Sequence, residues 1–264
     1  MSLISIAIIA TGVFFVATDA SAAANENFAD SGAIDLAEPL YHEKYYPHGT
    51  GPFPGVIVLH TSGGFKTVGH VIQHYIDDGF VAYAPDFFTR YSLTSKIRMQ
   101  TFTIYRKNIE KELSLIINIM ESDIKIDKKN IFAVGYSNGG FWASYLAGKS
   151  KVRAGASHYG VWKANFGREF TELYPMKYFS ETSSPLLVLH GQQDGTQKLI
   201  YAEKAIHQIK KRGAQIETIF YRNAGHAWDR KHTSKKPWKY NEEVTKDSYR
   251  KTIEFFAKHM DISD

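Results

Sequence analysis

A chain of 264 residues with 44% hydrophobic and 22% charged side chains is long and apolar enough to bury one sizeable core. The absence of cysteine excludes disulfides, thiolate metal sites and a cysteine nucleophile. The formal charge of +5 is carried by lysines and arginines spread along the chain, with no dense basic stripe, which argues against a nucleic-acid partner.

At the N-terminus, Leu3 to Ala17 is almost wholly apolar and runs into Thr18-Asp19-Ala20-Ser21-Ala22-Ala23-Ala24. An apolar run ending in Ala-x-Ala reads as a secretory signal peptide over residues 1–22, cleaved after Ala22 or Ala24, with a periplasmic or secreted mature protein. No Lys or Arg precedes the run, so an uncleaved anchor is the alternative; the run is short for a membrane span, which takes about 20 residues. Residues 23–38 are small and acidic and read as a flexible leader into one domain over 39–264.

From there strands and helices alternate. Val56-Ile57-Val58-Leu59-His60 is a continuous apolar run, as expected of a strand buried on both faces. The pattern then predicts a helix over 67–77, a strand over 80–84 stopped by Pro85, and one long helix over 94–121. Asp127 to Asn130 reads as a turn into a strand over 131–134, with a helix over 139–146 behind it. A strand over 153–159, an irregular stretch over 161–183, a strand over 185–190, a helix over 198–211, a strand over 216–221 and an amphipathic helix over 246–259 complete the chain. Such alternation implies an α/β fold whose mostly parallel sheet carries helices on both faces. In such sheets ligands bind beyond the carboxyl ends of the strands.

Four of those ends carry chemistry. After strand 131–134 comes Gly135-Tyr136-Ser137-Asn138-Gly139-Gly140, the strand–turn–helix layout of a nucleophile elbow, with small residues two before and two after the serine. After strand 185–190 comes Gly191-Gln192-Gln193-Asp194-Gly195, and after strand 216–221 comes Ala224-Gly225-His226-Ala227-Trp228. Serine, acid and histidine in that order, each in a loop at one sheet edge, form the chain order of a Ser–Asp–His triad. A serine hydroxyl needs a base within reach: His226 would take its proton, and Asp194 would orient the imidazole. The loop His60-Thr61-Ser62-Gly63-Gly64 would complete an oxyanion hole, with the amide of Ser62 favoured over Thr61, and the second amide from Asn138.

Residues 40–260 resemble the dienelactone hydrolase family of α/β hydrolases. The resemblance is carried by Ala84-Pro85-Asp86-Phe87-Phe88, by Gly135 to Gly140, by Gly191 to Asp194 and by Ala224 to Trp228. It implies an α/β-hydrolase fold and a monomeric hydrolase, without cofactor or metal, acting on small esters or lactones. It also implies that Arg90 and Arg230 grip a substrate carboxylate, as arginines do in the dienelactone-cleaving members. Those members carry cysteine where this chain has Ser137, and a glutamate where it has Thr61, so general esterase activity is expected rather than dienelactone cleavage. A peptidase or amidase of the same fold, or a binding protein on this scaffold, is the alternative. His70 and His74 lie four apart on a predicted helix, but without a third ligand they read as a surface pair. Trp162, Phe166, Tyr174, Trp228 and Trp238 are candidates for an apolar pocket; Lys163 and Asn165 have no assigned role.

Overall fold

The computed structural model describes residues 38–166, 169–172, 175–231 and 239–263, with backbone alone over 164–166, 169–172 and 175. The expected signal peptide, the leader up to residue 37, and the side chains of Asn165, Phe166, Tyr174 and Trp238 lie outside the described residues.

A seven-stranded sheet forms the centre, in the order β1-β3-β2-β4-β5-β8-β9. Its strands are β1 (His42–Tyr45), β2 (Phe53–Leu59), β3 (Val81–Pro85), β4 (Ile126–Tyr136), β5 (Gly155–His158), β8 (Leu186–Gly191) and β9 (Ile216–Tyr221). Every neighbouring pair is parallel except β1 with β3. The α-helices are α1 (Gly69–Asp77), α2 (Arg106–Ser122), α3 (Asn138–Gly148), α4 (Leu199–Lys211) and α5 (Glu242–Lys258). The strands are Val-, Ile- and Leu-rich because helices cover both faces, and Val56 to Leu59 and Leu186 to Leu189 are buried throughout. Among the described residues no helix is long and apolar enough to cross a membrane.

Three expectations are corrected. The long helix over 94–121 divides into a 3₁₀ turn (Arg98–Phe102) and α2, which begins only at Arg106. Thr101 and Thr103 return hydroxyl hydrogen bonds to the carbonyls of Arg98 and Met99, giving the backbone an alternative to continued α-helix. Phe102 turns inward to meet Phe141 at 4.7 Å, fastening the turn to α3. The predicted turn at 127–130 lies inside β4 as an irregularity: Phe53 pairs with Ile126, yet Gly55 already pairs with Ile131. The irregular stretch after β5 contains an antiparallel pair, β6 (Lys163–Phe166) and β7 (Glu169–Glu172). The edge strand β1 escaped prediction because its sequence, His42-Glu43-Lys44-Tyr45, carries no apolar run.

Candidate active site

The elbow begins with two glycines that cannot be replaced without moving backbone. A Cβ on Gly135 would stand 1.9 Å from the carbonyl oxygen of Gly139, and one on Gly139 would stand 2.1 Å from that of Leu59. This tight passage between β4 and α3 leaves Ser137 at φ 54°, a left-handed conformation uncommon for a non-glycine residue. The strain holds its hydroxyl at the head of α3, whose residues are all buried.

The structure brings the three expected residues into one hydrogen-bonded line. His226 Nε2 lies 2.8 Å from Ser137 Oγ, and His226 Nδ1 lies 2.8 Å from Asp194 Oδ2. The other carboxylate oxygen of Asp194 accepts the amides of Thr196 and Gln197, both at 2.8 Å. An ionised carboxylate only accepts, so the Nδ1 proton faces Asp194 and Nε2 is left to accept from the serine. Tyr159 backs the imidazole edge-on at 4.9 Å, and its hydroxyl donates to the buried Asp229 at 2.6 Å.

The hydrogen bonds of the two expected oxyanion segments show which of their amides are already engaged. The amide of Thr61 donates to Thr67 Oγ1, that of Gly63 to Thr61 Oγ1 and that of Gly64 to the Thr61 carbonyl. Ser62 is left as the one amide of that turn with no partner among the described residues. At the elbow, the amide of Gly139 goes to the His60 carbonyl and that of Gly140 to the Ser137 carbonyl, leaving that of Asn138. The Asn138 side chain donates to Thr101 Oγ1 at 3.1 Å and reaches Ser62 Oγ at 3.4 Å, tying the two donor segments together. The N-terminus of α3 adds its positive dipole end at the same place.

Ser137 and His226 open into a cleft of about 670 Å³. Its apolar wall is Met99, Phe102 and Val161; its charged rim is Lys96, Arg98, Lys163 and Arg230, and no carboxylate lines it among the described residues. Lys163 is held there because Gln197 Oε1 accepts its amide and that of Trp162.

Several expected site residues are placed elsewhere. Arg90 does not line the cleft: Asp86 accepts the amides of Phe88 and Thr89, and this turn directs Arg90 to Glu112 of α2, Nη1 to Oε1 2.6 Å. Its other nitrogen donates to the carbonyls of Glu38 and Pro39. Of the two arginines expected to form a clamp, only Arg230 lines the cleft. Replacing Arg90 by alanine strands a fully buried glutamate and lowers stability by about 3–5 kcal/mol, read in a thermal or urea melt. The ester preference of the folded variant remains that of the parent. Trp162 and Trp228 are core residues rather than pocket walls, 1% and 0% exposed. His70 and His74 do not converge: His70 Nε2 meets Asp229 at 3.0 Å, and His74 stacks on Tyr249.

Residues 43–260 match the dienelactone hydrolase family. A Yersinia pestis protein provisionally named a carboxymethylenebutenolidase is 24% identical over 229 residues, 84% of each chain. Among solved structures, a dienelactone hydrolase-like promiscuous phosphotriesterase from metagenomic libraries superposes with a TM-score of 0.68 at 17% identity, covering 83% of this chain and 92% of that one. Thermogutta terrifontis esterase 2, phosphoramylated by tabun, gives a TM-score of 0.64 at 17% identity, covering 82% and 88%. With the family match spanning nearly the whole described fold, the chain belongs to the dienelactone hydrolase family and is, by class, a carboxylic ester hydrolase.

Proposed function

We propose that this chain is a serine hydrolase that cleaves small carboxylic esters or lactones through an acyl-enzyme on Ser137. The observation that carries the reading is the unbroken line Asp194–His226–Ser137, with both contacts at 2.8 Å, beside two unpartnered amides. His226 Nε2 removes the hydroxyl proton as Oγ bonds to the acyl carbon, and the carbonyl electron pair moves onto oxygen. The amides of Ser62 and Asn138 receive that oxyanion; one such donor is worth on the order of 3 kcal/mol in the barrier. Collapse expels the alkoxide, which takes the proton from the imidazolium. Water, deprotonated by His226, then attacks the acyl carbon, and Oγ leaves with the proton returned by the imidazolium as the acid, the second product, is released. In a lactone the two products stay joined as one hydroxy acid.

The Ala-x-Ala boundary after the apolar run Leu3 to Ala17 supports export of the mature enzyme. The catalytic reading is tested by turnover of p-nitrophenyl acetate before and after Ser137→Ala. Turnover in the variant near the parent rate refutes it.

A further inference from the structure

The reaction just described uses one cavity, but a second adjoins it. This second space, about 480 Å³, is lined by Lys66, His70, His74, Arg230, Lys231 and Lys246, together with Asp229, Glu242 and neutral side chains. Among the described residues it shares a single lining residue with the catalytic cleft, Arg230. The segment after β2 runs along both: Thr61, Ser62 and Gly63 face the cleft, and Lys66 and Thr67 face the second cavity. Arg230 lies against this segment, since a Cβ on Gly63 would stand 3.8 Å from its Nη1. The ridge between the two spaces is thus a guanidinium laid beside the oxyanion loop.

Basic side chains outnumber carboxylates among the described lining residues on both sides of that ridge. The cleft carries Lys96, Arg98, Lys163 and Arg230 with no carboxylate among its described lining residues. In the second cavity both carboxylates already have partners. Asp229 accepts from Tyr159 and meets His70, and Glu242 pairs with Lys246 at 2.7 Å. That last pair is exposed and holds its partners weakly. Lys66 and Lys231 form no ion pair among the described residues. Lysine heads are compact charges on flexible stems, able to follow an anion rather than fix one geometry.

We infer that the second cavity is a subsite for an anionic group of the substrate, and that the substrate is a polycarboxylic ester. One carboxylate lies in the cleft near the scissile bond; another passes Arg230 to meet Lys66, Lys231 and Lys246. The inference rests on Ser137 acting as proposed, and it extends that reading from esters in general to esters carrying at least two carboxylates.

The probes are p-nitrophenyl acetate, the p-nitrophenyl half ester of succinic acid and the mono-p-nitrophenyl ester of tricarballylic acid, which differ by one carboxylate at each step. At low salt kcat/KM rises about tenfold per carboxylate, mainly through KM, and the steps shrink below about threefold in 0.5 M NaCl as the charges are screened. Lys66→Ala with Lys246→Ala abolishes the second step while the first persists, and Arg230→Ala diminishes both. Equal kcat/KM for the succinate and tricarballylate esters overturns the subsite, as does a second step that survives in the lysine double variant. Loss of Ser137 function is distinguishable, because the acetate ester then fails too. Calorimetric binding of tricarballylate and of succinate to Ser137→Ala keeps the question open to refutation in that case. Tricarballylate must bind the more tightly, and the difference must vanish when Lys66 and Lys246 are removed.

Discussion

Substituting Ser137 by alanine lowers kcat for p-nitrophenyl acetate on the order of 10⁴-fold or more, with a residue of activity from the oxyanion donors alone. The magnitude follows from the geometry. The hydroxyl is the one nucleophilic atom at 2.8 Å from His226 Nε2, and the imidazole is held from behind by Asp194 and Tyr159. His226→Ala costs a comparable factor because an unactivated serine hydroxyl is a poor nucleophile. The double variant is scarcely worse than either single one, since the two groups act as a unit. Far-UV circular dichroism and melting temperature stay near the parent values, because among the described residues Ser137 Oγ is needed by no buried partner other than His226. Additive losses in the double variant would separate the two residues and break this account.

Acid destabilises the domain between about pH 6.5 and pH 4. Burial pushes the pKa of His60 and of His158 down to about 4, and it lowers that of His190 in the same sense. His60 lies flat on Phe87 at 3.8 Å, and His158 meets Thr252 between β5 and α5, so neither ring reaches water. In the unfolded chain these rings titrate near 6.5. Their folded values are depressed, so their contribution is intact above pH 6.5. It falls as the pH drops, because only the unfolded state gains protons, and it levels off below the folded value near 4. At 1.36 kcal/mol per unit, each of the two rings accounts for about 3 kcal/mol at pH 4, a large share of the roughly 5–15 kcal/mol by which folded domains are typically stable. Urea midpoints that hold constant from pH 7 to 4.5 would contradict this.

The triad was legible because each member follows a short apolar strand, and parallel strands deliver their carboxyl ends to one edge. Ser62 could be favoured but not selected from the sequence. The choice depends on Thr67, whose hydroxyl occupies the amide of Thr61 from six residues downstream. Arg90 was misplaced because its position after Pro85-Asp86 says nothing of the direction in which the turn sends it. A signal was present in α2, where Glu112 sits on the buried face with Ile109, Leu113 and Ile116 and requires a cation. Lys96 and Arg98 passed unnoticed and Lys163 was left without a role, since they lie in a turn, a 3₁₀ turn and a short hairpin, which have no periodicity to mark an inward face. Trp162 and Trp228 drew attention as large aromatics near loops, yet at that size core packing is their commoner use.

Whether Ser137 carries the acyl group is read by rapid-quench mass spectrometry. Mixed with excess p-nitrophenyl acetate and stopped in acid within milliseconds, the enzyme should show one acetyl group on the peptide containing Ser137, absent from Ser137→Ala. A burst of one p-nitrophenolate per chain should accompany it if deacylation is the slower step. Hydrolysis near the parent rate in Ser137→Ala, or an acetyl group carried through turnover on another residue, would overturn that assignment.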